Sequence, residues 1–105
     1  MPSLIRAVIR PEKEPDVISG LERAGFFAMT KMPVRGRGIE RGVQVGQVSY
    51  DELSKVLLLL VVDDDDCERA IHTIETAART GHPGDGKVFV EAVSEVHSIR
   101  KGDPE

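Results

Sequence analysis

The chain has 105 residues, of which 40% are hydrophobic and 4% aromatic, and its formal net charge is −4. This length suits one small domain, residues 1–105, and the acidic balance argues against general nucleic-acid binding, which usually needs a basic surface. The single cysteine, Cys67, suits a reducing cytoplasm, and the longest apolar run, Val56 to Val62, is too short to cross a bilayer, so we expect a cytoplasmic protein with no nucleic-acid or membrane partner.

The first predicted elements are a strand, a helix and a second strand. Leu4 to Ile9 is rich in aliphatic residues and predicts a strand. Pro11 then suits the first turn of a helix, where a missing N–H costs nothing. Apolar residues recur at helical spacing until Gly25, which suits the end of that helix. Ala28 to Val34 predicts the second strand.

A glycine-rich segment, Arg35 to Glu52, separates the second strand from the third. It shows little periodicity, and loops longer than about 12–15 residues are usually functional or disordered. We therefore expect a long mobile loop over about residues 36–54. The aliphatic run Val56 to Val62 follows and predicts a central strand, because such a run fits a strand covered on both faces, or on one face plus a subunit contact.

The last part of the chain predicts a second helix and a fourth strand. Asp63 to Asp66 precede an apolar stripe at helical spacing, and we interpret these carboxylates as caps and dipole partners of the helix rather than as a metal site. Gly81 suits the end of this helix. Lys87 to Val90 predicts a strand, Val93 to Arg100 a further extended segment, and residues 101–105 a frayed polar tail.

The order of these elements predicts an α+β fold, the ferredoxin-like βαββαβ sandwich. One antiparallel sheet that carries both helices on one face leaves its other face to be covered. A ring of subunits can supply that cover, so the pattern favours an oligomer.

Three segments combine glycine with a cation at strand ends or connections. In the first, Gly84 and Gly86 let backbone N–H groups approach phosphate oxygens and Lys87 adds a positive charge, although a helix end followed by an Asp-Gly turn explains the same glycines. The others are Arg35-Gly-Arg-Gly-Ile-Glu-Arg-Gly42, which a flexible basic loop also explains, and Ile99-Arg-Lys-Gly102, which a solvated surface also explains. Charge-assisted hydrogen bonds contribute about 1.5–3 kcal/mol each and micromolar affinity needs about 8 kcal/mol, so two or three such cations with backbone donors suffice to hold a triphosphate.

Along residues 4–102 the sequence resembles the PII nitrogen-regulatory proteins. The matching motifs are Arg10-Pro11, Gly25-Phe-Phe-Ala-Met-Thr30, Arg35-Gly-Arg-Gly38, Leu53-Ser-Lys55, Ala78-Arg-Thr-Gly81 and Gly84-Asp-Gly-Lys-Val-Phe-Val90. This resemblance implies a trimeric signalling protein that binds ATP or ADP in clefts between subunits and binds 2-oxoglutarate through Mg-ATP. It implies no enzymatic activity.

The resemblance also assigns individual residues. Those of one chain expected around the nucleotide are Gly36, Gly38, Gly84, Asp85, Gly86 and Lys87. Thr30 and Arg100 are expected to come from the neighbouring subunit, and Glu40 and Lys55 fall where Mg²⁺ and 2-oxoglutarate are held. Glu40 stands where the family usually carries glutamine, and its negative charge beside a dianion leads us to expect weaker 2-oxoglutarate binding.

Within the family the sequence looks most similar to the first paralogue of the nitrogen-fixation-linked (NifI-type) branch. The marks are a shortened loop, the run Tyr50-Asp-Glu-Leu53 and the serine at Ser98. This resemblance implies assembly with itself as a homotrimer or with a second PII paralogue, and dinitrogenase as the target. The loop residues expected to dock on the target are Ile39, Arg41, Val43 and Tyr50. Tyr50 lies close to the next strand, so we expect it to pack or dock rather than to be modified.

Other functions remain open at this stage. One is a general PII-like regulator of another target, and another is a small phosphate-handling enzyme on the same fold, which the absence of asparagine from the chain disfavours. An RNA-binding module needs stacking aromatics on its central strands, and here the central strand is aliphatic. A trimeric scaffold without nucleotide binding is the fourth. The scattered histidines lack the spacing of a zinc site, so we expect no structural metal.

Overall fold

The structure, a computed structural model, describes residues 1–37 and 52–102. Within these residues the chain forms the strands β1 (Ser3–Ile9), β2 (Thr30–Gly36), β3 (Leu53–Val62) and β4 (Gly86–Ala92). The helices α1 (Glu14–Arg23) and α2 (Cys67–Ala78) lie between β1 and β2 and between β3 and β4. Neither helix in this part of the chain has the length and apolar character that crossing a membrane requires.

Both helices begin after a short 3-10 turn that contains acidic residues, Pro11–Lys13 for α1 and Asp64–Asp66 for α2. Carboxylates near the first turn interact favourably with the positive end of the helix dipole. Among the described residues, neither helix has a side-chain hydrogen bond at its N-cap. The aspartates therefore do not cap the second helix as expected, and only their favourable interaction with the helix dipole remains. Asp64 instead accepts hydrogen bonds from the amine of Met1, at 2.8 Å, and from Ser3 Oγ, at 3.3 Å.

The strands form one antiparallel sheet in the order β2-β3-β1-β4. The two aliphatic strands therefore occupy the centre, with Ile5 of β1 opposite Leu60 of β3 and Val90 of β4. This order and the two crossover helices confirm the predicted ferredoxin-like βαββαβ fold.

The two faces of the sheet differ because alternate residues of a strand point in opposite directions. One face packs on the helices, and its core consists of Ile5, Ala7, Ile9, Leu58 and Leu60 of the sheet with Val17, Leu21, Ala70 and Ile74 of the helices. No helix of residues 1–37 and 52–102 covers the other face. On this open face Met32, Leu53, Val61 and Phe89 remain 39–50% exposed.

The strand boundaries differ from the sequence prediction at both edges of the glycine-rich segment. β2 begins at Thr30 and continues to Gly36, and β3 begins at Leu53, because Gly36 pairs with Leu53 and Val34 with Lys55. The remaining part of the predicted loop, residues 38–51, lies outside the described residues.

The segment after β4 does not form the extended element that the sequence predicts. Only His97 makes an isolated bridge, and a turn follows in which Gly102 N donates to Ser98 O at 2.8 Å. The reason is the register of β4, since Ala92 already pairs with Ser3, the first residue of β1. Residues 103–105 of the predicted tail lie outside the described residues.

Candidate functional site

The connection between α2 and β4 is a turn, residues 79–86, in which three glycines have backbone conformations that side chains disfavour. Gly81, near the start of the turn, has φ +89°. Gly84 has φ +97° and Gly86 has φ +108°. A Cβ added at Gly86 would lie 1.8 Å from the carbonyl oxygen of Val8, which is far inside van der Waals contact. Glycine is therefore required at Gly86 by the close approach of β4 to β1.

The carboxylate of Asp85 organises this turn from within. Its Oδ2 accepts hydrogen bonds from the amides of Thr80, at 2.8 Å, and Gly81, at 2.9 Å. Its Oδ1 accepts from the Thr80 hydroxyl and, at 3.0 Å, from Nε of Arg10. Hydrogen bonds from the Thr80 hydroxyl and amide, followed by those from Gly81 and Arg10, hold the pKa of Asp85 far below its ordinary value, so the carboxylate is ionised at neutral pH.

Two cations from the neighbouring strands bind the carbonyl groups of the same turn. Arg10, which directly follows β1, donates from Nη2 to the Pro83 carbonyl at 2.7 Å. Lys55 of β3 donates from Nζ to the Gly84 carbonyl. The turn is thus attached to the ends of both central strands.

Beside this turn, a cleft of about 220 Å³ opens on the open face of the sheet. Its lining combines an apolar floor with cations and glycines: Val8, Gly36, Arg37, Leu53, Lys55, Gly84, Gly86, Lys87 and Phe89. No carboxylate is among these described lining residues. The arrangement of basic side chains, glycine backbone and an apolar surface suits an anionic ligand with an apolar part.

The cleft gathers many of the residues that the sequence analysis assigned to ligand binding. Gly36 comes from the end of β2, Lys55 from the start of β3, and Gly84, Gly86 and Lys87 from the turn and β4. These residues are distant in sequence, and the antiparallel pairing brings the ends of their strands to one edge of the sheet.

Asp85 and Arg10 differ from the assignments made from the sequence. Asp85 does not line the cleft, and its oxygens are engaged by the protein's own donors, so it acts on the turn rather than on a ligand in this cleft. Arg10 was missed as a site residue. The available signal was a cation directly after a strand that neighbours β4, yet its partners lie 73 and 75 residues away in sequence.

The remaining assigned residues lie elsewhere. Thr30 is at the opposite end of β2 from Gly36, about 20 Å along the strand. It lines a separate cavity of about 500 Å³ together with Met29, Leu59 and Val61. Arg100 lies in the turn near the C-terminus and lines neither cavity. The assigned residues Gly38, Ile39, Glu40, Arg41, Val43 and Tyr50 lie outside the described residues.

Among residues 1–37 and 52–102, no cluster of His, Cys, Asp and Glu could hold a metal ion. Cys67, at the start of α2, is partly buried and is not in a disulfide.

Comparison with known proteins identifies relatives over nearly the whole chain. The family model described as "Nitrogen regulatory protein P-II" matches residues 3–103. The chain is 50% identical over 101 residues to "Nitrogen fixation nifHD1 region GlnB-like protein 1" of Methanosarcina barkeri, covering 96% of each chain. It is 47% identical over 97 residues to the corresponding nifHD region protein of Methanococcus maripaludis, covering 92% of each. The fold is similar to the crystal structure of Arabidopsis thaliana PII bound to citrate, with a TM-score of 0.82, 35% identity, and coverage of 99% of this chain and 88% of that one.

Proposed function

The chain belongs to the nitrogen regulatory protein P-II family, and we propose that it is a cytoplasmic signalling protein that senses ATP or ADP and controls dinitrogenase. It acts as a regulator, not as an enzyme. Two similar relatives, from Methanosarcina barkeri and Methanococcus maripaludis, are named for the nitrogen-fixation region, which supports a target in nitrogen fixation. The alternative is that the chain controls another protein, and capture of dinitrogenase distinguishes the two targets.

The observation that carries this proposal is the convergence of Gly36, Lys55, Gly84 and Lys87 on one cleft. The two lysines supply positive charge, and the glycines leave space for phosphate oxygens to approach the backbone. Ligand pockets usually measure about 300–1,000 Å³. The cleft of one chain, about 220 Å³, therefore accommodates part of a nucleotide, and the phosphates are the part that its charge favours.

The rest of the nucleotide site is supplied by a neighbouring subunit in this proposal. The open face of the sheet exposes Met32, Leu53, Val61 and Phe89, and such an apolar face is typical of a surface that other subunits cover. P-II proteins are trimers, so we assign the cover to a homotrimer or to a mixed oligomer with a second PII paralogue. Thr30 and Arg100, which lie outside the cleft of their own chain, would then contact the nucleotide held by the neighbour.

Lys55 is the residue that suits a carboxylate ligand. Its amine reaches the cleft from β3 and lies beside the Gly84 carbonyl. The Arabidopsis PII structure contains citrate, which supports small carboxylates as ligands in this family. In the proposal 2-oxoglutarate binds through Mg-ATP near Lys55 and Glu40, with Glu40 supplying an oxygen to Mg²⁺.

The position of the cleft suggests how a bound ligand affects binding of the partner. Gly36 and Leu53 pair at the ends of β2 and β3, and both line the cleft. A ligand in the cleft therefore lies beside both ends of residues 37–52. In the proposal these ligands shift the loop between docked and undocked states by their different affinities for the two. The loop residues proposed to dock on the target are Ile39, Arg41, Val43 and Tyr50. Binding of Mg-ATP with 2-oxoglutarate favours the undocked state.

Calorimetry with ATP and ADP tests nucleotide binding. We expect the wild type to bind at micromolar concentration and Lys87→Gln to bind at least about tenfold more weakly, since it loses a charge-assisted contact. Lys31→Gln is the matched control, because Lys31 pairs with Glu14 of α1 and does not line the cleft. Equal losses in both variants would contradict the assignment of the cleft.

Capture of purified dinitrogenase on the immobilised protein tests the target. We expect retention without ligands and release with Mg-ATP plus 2-oxoglutarate. Retention that ignores the ligands would refute the switch. Nucleotide binding without any retention would instead favour the general PII-like regulator.

A further inference from the structure

Arg10 lies at the junction of β1 and the first helical turn, outside the cleft, and reaches the turn before β4. The geometry points to Arg10 as a positioning residue that, through Asp85 and the Pro83 carbonyl, holds the 79–86 turn in the conformation that presents Gly84 and Lys87 to the nucleotide. This inference rests on the proposed nucleotide binding and adds a residue that the sequence motifs did not assign to any ligand.

The contacts of Arg10 are directed at two different parts of the turn. Nε donates to the side chain of Asp85 at 3.0 Å, and Nη2 donates to the backbone oxygen of Pro83 at 2.7 Å. The planar guanidinium makes both bonds at once, which a lysine amine on a flexible stem does not reproduce with the same geometry. The Arg10 and Asp85 side chains are only 22% and 24% exposed, so the pair is more shielded than the other ion pairs of the strands.

Asp85 passes this constraint to the backbone of the turn. Its carboxylate accepts from the amides of Thr80 and Gly81 on one side and from Arg10 on the other. The N-terminal half of the turn, its carboxylate and its Pro83 carbonyl are thereby joined to the end of β1. We name this set, Arg10 with Asp85, Thr80, Gly81 and Pro83, the turn brace.

The brace should matter for affinity because the turn is rich in glycine. Glycine-containing backbone loses more conformational entropy on ordering than other backbone does. A turn already ordered by the brace spares the nucleotide that cost, whereas a turn without it must be ordered on binding. Removing the brace should therefore weaken nucleotide binding although Arg10 does not line the cleft.

The experiment compares Arg10→Gln with Lys31→Gln. Each variant loses one cation that forms an ion pair, Arg10 with Asp85 at 3.0 Å and Lys31 with Glu14 at 2.6 Å. Only Arg10 contacts the turn. Two quantities are measured on the full chain: ADP affinity by calorimetry, and exchange rates of the Thr80 and Gly81 amides without ligand.

We expect Arg10→Gln to bind ADP about tenfold more weakly, the effect of one charged hydrogen bond, and to exchange the Thr80 and Gly81 amides at least about tenfold faster. Lys31→Gln should change neither. Arg10→Lys keeps the charge and should recover part of the ADP affinity. If Arg10→Gln stays within twofold of Lys31→Gln in ADP affinity, the positioning role is overturned.

Two further results separate this inference from the proposed function. A wild type that binds no adenine nucleotide overturns the proposed function and the role of Arg10 in it, while the amide exchange still decides whether the brace exists. In the double variant Arg10→Gln with Asp85→Asn, the losses of ADP affinity should be smaller than additive, because both changes remove one brace. Fully additive losses would show that Arg10 acts independently of Asp85. Arg10→Lys provides the comparison if Arg10→Gln proves too unstable to assay.

Discussion

Replacing Gly86 by alanine should separate the start of β4 from β1. The added Cβ would lie 1.8 Å from the Val8 carbonyl oxygen, and real Cβ contacts of that kind stay beyond 3.0 Å. The two backbones would therefore have to move apart by about 1.2 Å at the pair that Gly86 forms with Ile9. The neighbouring pair, Lys87 with Val8, would be disturbed as well.

The expected loss has two parts. A side chain at φ +108° costs roughly 1–2 kcal/mol relative to glycine. Loss of one or two ladder hydrogen bonds adds about 0.5–1.5 kcal/mol each. We therefore expect Gly86→Ala to lower the free energy of unfolding by about 1.5–5 kcal/mol, and by more than the same change at a glycine with open space around it.

Denaturant unfolding at a fixed protein concentration measures this loss, with Gly25→Ala as the control. Gly25 has φ +96°, close to that of Gly86, but an added Cβ there meets nothing within 4 Å. The control should therefore lose only the backbone part, about 1–2 kcal/mol. Equal losses in the two variants would refute the argument that close approach to Val8 demands glycine.

Three further changes test the core, the turn and the loop. Leu58→Ala, in the fully buried centre of β3, should cost about 2–5 kcal/mol in chemical unfolding, and a loss below 1 kcal/mol would mean that this face is not the core. The pKa of Asp85 is lowered in the folded state, so the difference in unfolding free energy between the wild type and Asp85→Asn should be constant above about pH 5. This difference should shrink as the pH falls below about 3.9, where the carboxyl of the unfolded chain takes up its proton. Urea unfolding across this pH range measures the difference, and a difference that grows at low pH would contradict the lowered pKa. Glu40→Gln should bind 2-oxoglutarate more tightly than the wild type in titrations with Mg-ATP, and equal or weaker binding would contradict the charge argument.

The central part of the fold could be predicted from the sequence because its signals are local. The aliphatic runs of β1 and β3 favour strands with at least one buried face, and the order of elements selects one arrangement of the sheet. The edges could not be predicted in the same way. Ser54 and Lys55 have no strand signal of their own, and they are extended because β2 pairs with them.

The residues of the candidate site also differ in how far the sequence predicts them. Gly84, Gly86 and Lys87 were found because they lie close together in sequence, and Gly36 because it lies between two arginines. Lys55 was found because the resemblance to PII proteins placed it. Arg10 escaped notice, since its importance depends on a contact with Asp85 across 75 residues. The sequence showed the aspartate of an Asp-Gly turn but not which way its carboxylate points.

The glycines of the turn carry less of the functional argument than the motif suggests. Gly86 is required by the approach of β4 to Val8 whether or not a nucleotide binds, so its presence is explained by the fold alone. The fold explains Lys55 through its hydrogen bond to the Gly84 carbonyl, but it does not explain Lys87, which β4 brings to the same cleft on the open face. Arg37, Lys55 and Lys87 place three cations at this cleft, without a carboxylate among the described lining residues, so an anion bound there is attracted by all of them. The case for a phosphate ligand therefore depends on these cations, and the Lys87→Gln titration, rather than any glycine variant, is the measurement that bears on it.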